Sequence, residues 1–411
     1  MMRVVYEICC GLDVHAKTVV ACLVSHGKKE VRTFSTMTDD LLTLLDWLTA
    51  AGCTHVAIES TGVYWKPVFN ILEGSMEVIL VNARHMKAVP GRKTDVRDCE
   101  WLADLLRHGL LKASFIPPLE IRELRELTRY RQSLKGELAR IANRVQKVIE
   151  SGNIKLGQVA SNALGLSARG MLKLLAAGET NVERMANLAQ RQLKQKKPEL
   201  RRALVGRLTE SQRWVLTELL TRYEEVESAI TRVNERIDKE LAEHPFVKEA
   251  VQMLDEIPGL GKQTTEDVIS EIGVDMSAFP SHHHIASWAA VCPGNNESAG
   301  KHRSGKTGKG NAYLRTALVQ AAWAASHTKN TYLSAQYHRL VKRLGKKKAL
   351  IAVAHSMLVI IYHVLSRKEH FHELGGDYFD RHNQQTLRHH LIRRLESLGL
   401  KVTVQELNQA A

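Results

Sequence analysis

The chain has 411 residues, and lysine and arginine outnumber aspartate and glutamate by 58 to 44, which gives a formal net charge of +14. This length predicts two or three domains, and the basic charge favours a polyanionic partner, although ribosomal or membrane-surface binding would leave the same excess. The six cysteines form no CxxC pair, which argues against a zinc knuckle or disulfide framework and for reduced, buried thiols. With no run of about 18 uncharged apolar residues and no signal peptide, we expect a soluble intracellular protein with no membrane partner.

The N-terminal third has the pattern of an α/β domain with a mixed sheet. Two short apolar runs, from Ile8 to Val14 and from Thr18 to Val24, flank a turn and predict a hairpin, and a third strand follows at 30–34. Helices and strands then alternate, which favours a mixed sheet. Predicted helices cover 39–51, 63–72 and 93–111, and predicted strands cover 55–60 and 77–81.

Four carboxylates in this third stand where an unpaired charge would be costly. Asp13 interrupts an apolar strand, Glu59 closes another, and Asp95 and Asp98 share a helix face because they lie three residues apart. Hard divalent cations such as Mg²⁺ prefer carboxylate oxygens, and two metals about 4 Å apart support phosphoryl transfer. Each acid also has a structural alternative, namely the hairpin bend, a helix cap or ion pairs with neighbouring arginines. The four together, in this order, favour the metal site.

Two long helices with heptad spacing occupy the middle of the chain. Apolar residues recur at three- and four-residue steps from Leu124 to Val148, where only Arg131 breaks the series, and again from Leu216 to Ile237. We expect arms of about 45 Å, packed as an antiparallel hairpin or between chains as an oligomerisation element. Shorter helices join them and carry a basic patch, which is either a solvated face or a phosphate contact. The patch comprises Arg191, Lys194, Lys196, Lys197, Arg201, Arg202 and Arg207.

A Pro-Gly-Leu-Gly turn opens the C-terminal third and leads into a predicted helix at 263–272. Two helices joined by such a turn predict a helix-hairpin-helix, in which Gly259, Gly261 and Lys262 would hold a DNA phosphate. An ordinary helix–helix turn is the alternative. Further along, 332–348 has the pattern of a single helix with a cationic face, and a polar tail follows about residue 366.

A glycine-rich basic loop lies between Cys292 and the apolar helix predicted from about 314 to 325. Its glycines permit close backbone approach to a ligand, and two serines lie among its cations. Such a loop on a rigid helix suits phosphate handling, whereas a surface loop that only touches nucleic-acid backbone is the alternative. The serines are Ser298 and Ser304, and the cations are Lys301, Arg303, Lys306, Lys309 and Arg315.

The order of these features resembles one known family, the insertion-sequence-110 type transposases, also called DEDD transposases or bridge-RNA-guided recombinases. The resemblance spans about residues 5–365 and includes the four acids, the heptad helices, the helix-hairpin-helix and the glycine-rich loop. The local signals are K-T-D-x-x-D at 93–98, P-x4-S-x-G-K at 293–301 and G-x-x-G-x-G-N-x-x-L-R at 305–315.

The resemblance implies a fold and a chemistry. The fold is a RuvC-like, RNase-H-type N-terminal domain, long coiled-coil helices and a mostly α C-terminal domain. The chemistry is DNA cleavage, exchange and rejoining, in which a serine attacks DNA and forms a transient covalent bond. Ser298 matches the family's Ser-x-Gly pattern. Ser304 also begins a Ser-Gly-Lys run, and we favour Ser298 because it lies closer to the Pro-Gly turn. The implied Mg²⁺ ligands are Asp13, Glu59, Asp95 and Asp98.

The resemblance also implies partners: donor and target DNA, a non-coding guide RNA from the element, and further copies of the chain in a dimer or tetramer. The setting would be the bacterial or archaeal cytoplasm, at the nucleoid. Two other interpretations are a metal-dependent junction nuclease that uses water and leaves no covalent adduct, and a non-catalytic scaffold that tolerates neutralisation of the four acids. The predicted domains are a RuvC-like catalytic domain at 1–116, a coiled-coil oligomerisation region at 117–246, a transposase domain with the serine at 247–366 and a polar helical tail at 367–411.

Overall fold

Apolar strands and amphipathic helices fold the chain into two units, Met1–Ile116 and Pro117–Ala411, in a computed structural model. The structure describes residues 3–60, 62–81, 95–292, 296–298, 301–304, 307–308, 310–382 and 384–403, and it gives only the backbone at 95–97, 296–298, 301–304, 384–387 and 390.

The N-terminal unit is built on a five-stranded mixed sheet with helices on both faces. Its elements are β1 (Ile8–Val14), β2 (Thr18–Ser25), β3 (Lys28–Ser35), α1 (Thr38–Ala50), β4 (His55–Glu59), α2 (Trp65–Leu72), β5 (Glu77–Val81) and α3 (Asp95–Arg107).

The strand order is β3-β2-β1-β4-β5, with β1 antiparallel to β2 and parallel to β4. Successive side chains of a strand point to opposite faces, and this alternation decides what each residue of β1 meets. Cys10 and Leu12 lie in the core with α1 and α2, whereas Cys9 lies in the core with α3. The predicted α/β unit with a mixed sheet is confirmed.

The helix expected at 93–111 is shorter than predicted. α3 ends at Arg107, and Gly109 follows with a φ of 66°. Glycine adopts this left-handed conformation readily, and it commonly terminates a helix. Residues 93 and 94 lie outside the described residues.

The C-terminal unit is helical in its described part apart from one short hairpin. Its helices and strands are α4 (Leu119–Ser151), α5 (Leu156–Val159), α6 (Leu166–Ala176), α7 (Val182–Ala186), α8 (Lys197–Ala203), α9 (Glu210–Glu243), α10 (Pro245–Asp255), α11 (Lys262–Ile272), α12 (His282–Trp288), β6 (Asn296–Ser298), β7 (Lys301–Ser304), α13 (Ala312–His327), α14 (Tyr332–Leu344), α15 (Lys346–Arg367), α16 (Tyr378–His382) and α17 (Gln384–Glu396), with 3₁₀ turns at Arg191–Lys196 and Met276–Ala278.

The two long helices α4 and α9 pack against each other in antiparallel directions within one chain. Gln212, near the start of α9, donates to Ser151 Oγ at the end of α4 (3.0 Å). Towards the other end of the pair, Arg131 Nη1 donates to Asn234 Oδ1 (3.2 Å). This is one of the two arrangements expected from the heptads, and supercoiling of the pair stays a prediction.

The single helix expected at 332–348 is wrong, because two helices meet there. Gly345 takes a φ of 77°, and its N–H bonds to Val341 O, which closes α14 before α15 begins at Lys346. The chain can reverse here because glycine tolerates positive φ.

The expectation that no long apolar run exists is also wrong. α15 is long and apolar enough to cross a membrane, since it contains an 18-residue window with a mean hydropathy of 2.0, of which 44% is buried. Val353, Met357 and Ile361 are fully buried, and the helix packs against α13 and α14. In this unit α15 therefore packs as a core helix.

Candidate active site

Asp13 and Glu59 lie at the carboxyl ends of two neighbouring parallel strands. The register pairs Leu12 of β1 with Ile58 of β4, so the two acids occupy the next position on each strand. Asp13 also pairs with Val20 of β2, which places it within a strand rather than at the hairpin bend. Since side chains alternate along a strand, both acids belong to the face covered by α3.

The helix α3 packs closely on β1 at this corner because the residue of β1 that faces it is Gly11, which has no side chain. A Cβ on Gly11 would lie 2.3 Å from Cys99 O and 2.6 Å from Ala103 N. Cys9 Sγ in turn contacts Ala103 O at 3.7 Å, so α3 runs antiparallel to β1. The first turn of α3, which carries Asp95 and the half-buried Asp98, therefore begins at the carboxyl end of β1.

Asp13 is the most enclosed of the described acids at this corner, with 8% of its surface exposed. Its Oδ2 lies 3.2 Å from Nε2 of His15, which is a partner for a carboxylate that would be costly to bury alone. The pKa of the Cys99 thiol is raised chiefly by its hydrogen bond with Cys22 and by burial. Asp13 is close enough to add to this increase.

The acids present fit a hard cation by type, since all four offer only carboxylate oxygens. Among the side chains that the structure describes, however, no group of three or more histidines, cysteines, aspartates or glutamates is gathered closely enough to hold a metal ion. Asp13, Glu59 and Asp98 thus share a corner without converging on one point, and the side chain of Asp95 lies outside the described part.

The serine-bearing segment forms a short antiparallel hairpin of β6 and β7. Ser298 pairs with Lys301, where β6 ends and β7 begins, whereas Ser304 pairs with Asn296 at the base of the hairpin. Arg303 lies on β7. The side chains of these residues, and all of Lys306 and Lys309, lie outside the described part.

The end of this loop is fixed to the helices around it. A Cβ on Gly310 would lie 2.4 Å from Trp288 O, so the backbone at this point rests directly on the end of α12. Asn311 then caps α13, and its Oδ1 accepts hydrogen bonds from Tyr313 N (3.0 Å) and Leu314 N (3.1 Å). Arg315 Nη1 donates to Gly308 O at 3.3 Å, so this predicted DNA ligand also shapes the loop.

The Pro-Gly-Leu-Gly turn joins α10 to α11, and its two glycines have different surroundings. Gly259 has a φ of 92°, and a Cβ there would lie 2.4 Å from Ala321 O, so it packs on α13. Gly261 has no atom within 4 Å of a built Cβ and faces open space. Lys262 pairs with Asp238 of α9, whose hydrogen bond raises the lysine pKa.

Two family models match the regions that hold these features. A transposase model for DEDD proteins of the IS110 type matches residues 10–153, and a model described as transposase IS116/IS110/IS902 family matches 251–339. The chain belongs to the IS110 family of transposases. The first match covers the acidic corner and α4, and the second covers the Pro-Gly-Leu-Gly turn and the serine hairpin.

The transposase is also similar to curated proteins over most of its length. A pilin gene-inverting protein of Moraxella bovis is 23% identical over 378 residues, which cover 88% of this chain and 96% of the relative. The transposase for insertion sequence element IS1111A of Coxiella burnetii is 23% identical over 301 residues, 71% of each chain. These matches identify the protein as an enzyme of DNA recombination.

Sequence reasoning missed two positions on which the site of this transposase depends. Gly11 carried a weak signal, since a glycine inside a strand often marks a close approach by another backbone. The sequence presents Asn311 only as part of a glycine-rich motif, although its carboxamide caps α13.

We expect Gly11→Ala to lower the free energy of unfolding by about 1–3 kcal/mol, because the new methyl group would push α3 away from β1. Denaturant unfolding of the whole chain measures this loss. Gly74→Ala is the matched control, since a Cβ at Gly74 meets no atom within 4 Å. Equal stability of the two variants would show that α3 does not depend on Gly11 for its position.

Proposed function

We propose that this transposase cleaves, exchanges and rejoins DNA strands through a covalent serine–DNA intermediate, with Mg²⁺ held by the acidic corner. The observation that carries the proposal is that Asp13, Glu59 and the start of α3 lie at the same corner of the sheet. A structural role for all these acids would not require neighbouring strands to end in carboxylates beside a third acidic element.

In this proposal Asp13, Glu59, Asp95 and Asp98 hold the metal. Bound Mg²⁺ would neutralise charge on the scissile phosphate and favour loss of the serine proton. Asp13 would be the most firmly placed ligand of the set because it is buried and lies within β1, paired with Val20. His15 keeps that carboxylate paired while the other acids are apart.

Ser298 is the proposed nucleophile. Its Oγ attacks the phosphorus and loses its proton, a serine–phosphate ester forms, and the bond to the leaving DNA oxygen breaks as that oxygen takes up a proton. A hydroxyl of another strand then attacks the same phosphorus and releases the serine. The number of phosphoester bonds is conserved at each step, so no ATP is needed.

The hairpin supports Ser298 over Ser304 by position. Ser298 lies at the end of β6, opposite Lys301, whereas Ser304 lies at the base of the hairpin, opposite Asn296. A cation directly across the hairpin is suited to stabilise the charge that develops on the phosphate, and Arg303 lies two residues further along the same strand.

Nucleic-acid binding is proposed for the exposed cationic surfaces. At the Pro-Gly-Leu-Gly turn we propose that Gly261 and the start of α11 contact DNA phosphate, as in a helix-hairpin-helix, while Gly259 serves packing. Lys262 would exchange its partner Asp238 for phosphate. Lys306, Lys309 and Arg315 are proposed as further phosphate contacts. The proposed partners are donor and target DNA, an element-encoded guide RNA and further copies of the chain, in the cytoplasm.

Asp13→Asn tests the role of the acids. We expect strand cleavage to fall at least about a hundredfold, because the amide keeps the shape of the carboxylate but loses the charge that holds a cation. DNA binding should stay near the wild-type level. Both are measured on labelled DNA that carries the element's ends, by denaturing gel and by mobility shift.

Asp104→Asn is the matched control, because Asp104 lies on α3 but forms an exposed ion pair with Lys29 (2.6 Å). Undiminished cleavage by the Asp13 variant would refute the proposed metal site. Loss of all DNA binding by a folded Asp13 variant would assign this residue a structural role instead.

A further inference from the structure

Three acids of α11 are buried together in the C-terminal unit. Glu266 and Glu271 are each 1% exposed, and Asp267 is 6% exposed. Arginines of α4 meet all three: Arg131 bonds to Glu266 and Asp267, and Arg129 bonds to Glu271. The cluster of Arg131, Glu266 and Asp267 only joins helices. The pair of Arg129 and Glu271 also reaches the loop that carries the serine.

Glu271 connects three separate elements. Arg129 of α4 binds it with two parallel hydrogen bonds, Nε to Oε1 at 2.7 Å and Nη2 to Oε2 at 2.9 Å. Asn311 Nδ2 donates to the same Oε2 at 2.6 Å. The bidentate geometry fixes the plane of the carboxylate, and the carboxylate in turn fixes the side chain of Asn311.

The backbone of Glu271 is held as firmly as its side chain. Arg125 Nε donates to Ser270 O and its Nη2 donates to Glu271 O, both at 2.8 Å. These are carbonyls of the last turn of α11, which have no partner within their own helix. Arg129 also lies over the ring of Tyr313, at 4.4 Å from its centroid. α4 therefore contacts both α11 and the start of α13.

Asn311 lies where the serine loop ends. It follows Gly310, whose backbone rests on Trp288 O, and it begins α13. Its Oδ1 is occupied by the cap of α13, so its Nδ2 alone makes the link to Glu271. A shift of this residue would move the end of the hairpin segment, and misplacement of a reacting group by about 1 Å can cost a hundredfold in rate.

We propose that Glu271 is a positioning residue: through Asn311 it fixes the end of the loop that carries Ser298 and ties that end to the arm helix α4. This inference rests on the proposed function, since it assumes that the hairpin of β6 and β7 takes part in the reaction. Glu271 touches neither DNA nor metal in this role. It acts on the rate of the chemical step by limiting the positions available to the hairpin.

The test is Asn311→Ser. Serine caps helices about as well as asparagine, but its hydroxyl is too short to both cap α13 and reach Glu271. We expect the single-turnover rates of adduct formation and of recombination to fall at least about tenfold. The DNA concentration that gives half saturation and the melting temperature should stay at the wild-type values.

Asn181→Ser is the matched control, because Asn181 caps α7 with the same pair of bonds, to Glu183 N (3.0 Å) and Arg184 N (3.1 Å), and begins a helix that does not carry the loop. Asn311→Asp is the graded variant, since aspartate keeps the cap but places a second carboxylate against Glu271. The expected order of rates is wild type and Asn181→Ser, then Asn311→Ser, then Asn311→Asp.

A wild-type rate in Asn311→Ser, or a loss in it that Asn181→Ser shares, would overturn the positioning role. So would a loss that comes entirely from weaker DNA binding. Ser298→Ala in the same assay separates this failure from failure of the proposed function. If Ser298→Ala still recombines DNA, the proposed nucleophile is wrong, while the recombination rate of Asn311→Ser still reports on the loop.

Discussion

Ser298→Ala is expected to abolish recombination and the covalent protein–DNA species together, a loss of at least about ten-thousandfold in rate. Alanine has no oxygen that can bond to phosphorus, so neither a metal nor a nearby cation can compensate for the change. The substitution lies at the end of β6, opposite Lys301, and removes one atom. We therefore expect binding of DNA and thermal stability to be retained.

Ser304→Ala is the matched control for that variant, because Ser304 lies on the same hairpin at its base. The adduct is detected as labelled DNA that migrates with the protein on a denaturing gel. An adduct formed by Ser298→Ala and lost in Ser304→Ala would reassign the nucleophile. Cleavage by the wild-type protein with no adduct at any time would favour water as the nucleophile, which is the chemistry of a junction nuclease.

The parts of this fold that could be predicted from sequence are those specified by local pattern. The strands at 8–14 and 77–81 have the predicted bounds, and the other strands of the sheet differ from prediction by one or two residues, because short runs that are rich in β-branched residues and bounded by turn residues favour strands. The corner that joins Asp13 and Glu59 follows from the same pattern once β1 and β4 pair in parallel. The sequence alone does not show the approach of α3 to Gly11, since the contact residues lie 88 and 92 positions away.

Predictions from glycines and from apolar runs are wrong where the same residues can serve two structural roles. Gly259 suits a phosphate-binding turn, yet its missing side chain makes room for the backbone of α13. Gly345 lies inside a helical pattern and ends a helix. α15 satisfies the composition of a membrane span, and only its buried contacts mark it as a core helix.

The largest effect on stability is expected from Arg131→Ala, at about 3–5 kcal/mol. Arg131 is the one residue that breaks the heptad pattern of α4, and it is fully buried. It bonds to Glu266, to Asp267 Oδ1 at 2.7 Å and to Gln263 O at 2.9 Å. Burial alone would lower the pKa of this arginine, but the two acids outweigh it and hold the pKa above its ordinary value. Without the guanidinium two carboxylates would remain buried and uncompensated.

The loss of unfolding free energy in Arg131→Ala should depend on pH. The titration of the buried acids that remain decides whether the loss grows or shrinks as pH rises. Burial already raises the pKa of Glu266 above its ordinary value, and removal of Arg131 takes away the main interaction that opposes this shift. A carboxyl with a raised folded-state pKa binds its proton more tightly in the folded protein, so its contribution to stability is present below the unfolded pKa and lost as pH rises. The deficit of Arg131→Ala should therefore be larger at pH 8 than at pH 5.

Urea unfolding at the two pH values measures this deficit without adding salt that would screen charges. Arg222→Ala is the matched control, since Arg222 joins the same pair of long helices through an exposed bond to Glu137 at 2.9 Å. An exposed pair contributes about 1 kcal/mol or less, so this variant should be nearly as stable as wild type.

A second control replaces Arg131 by Met, Glu266 by Leu and Asp267 by Leu together, which removes the charges as a set and should recover most of the loss. If Arg131→Ala and Arg222→Ala were equally stable, the buried charges would be solvated in the folded protein, and the heptad exception at Arg131 would have no role in joining α4 to α11.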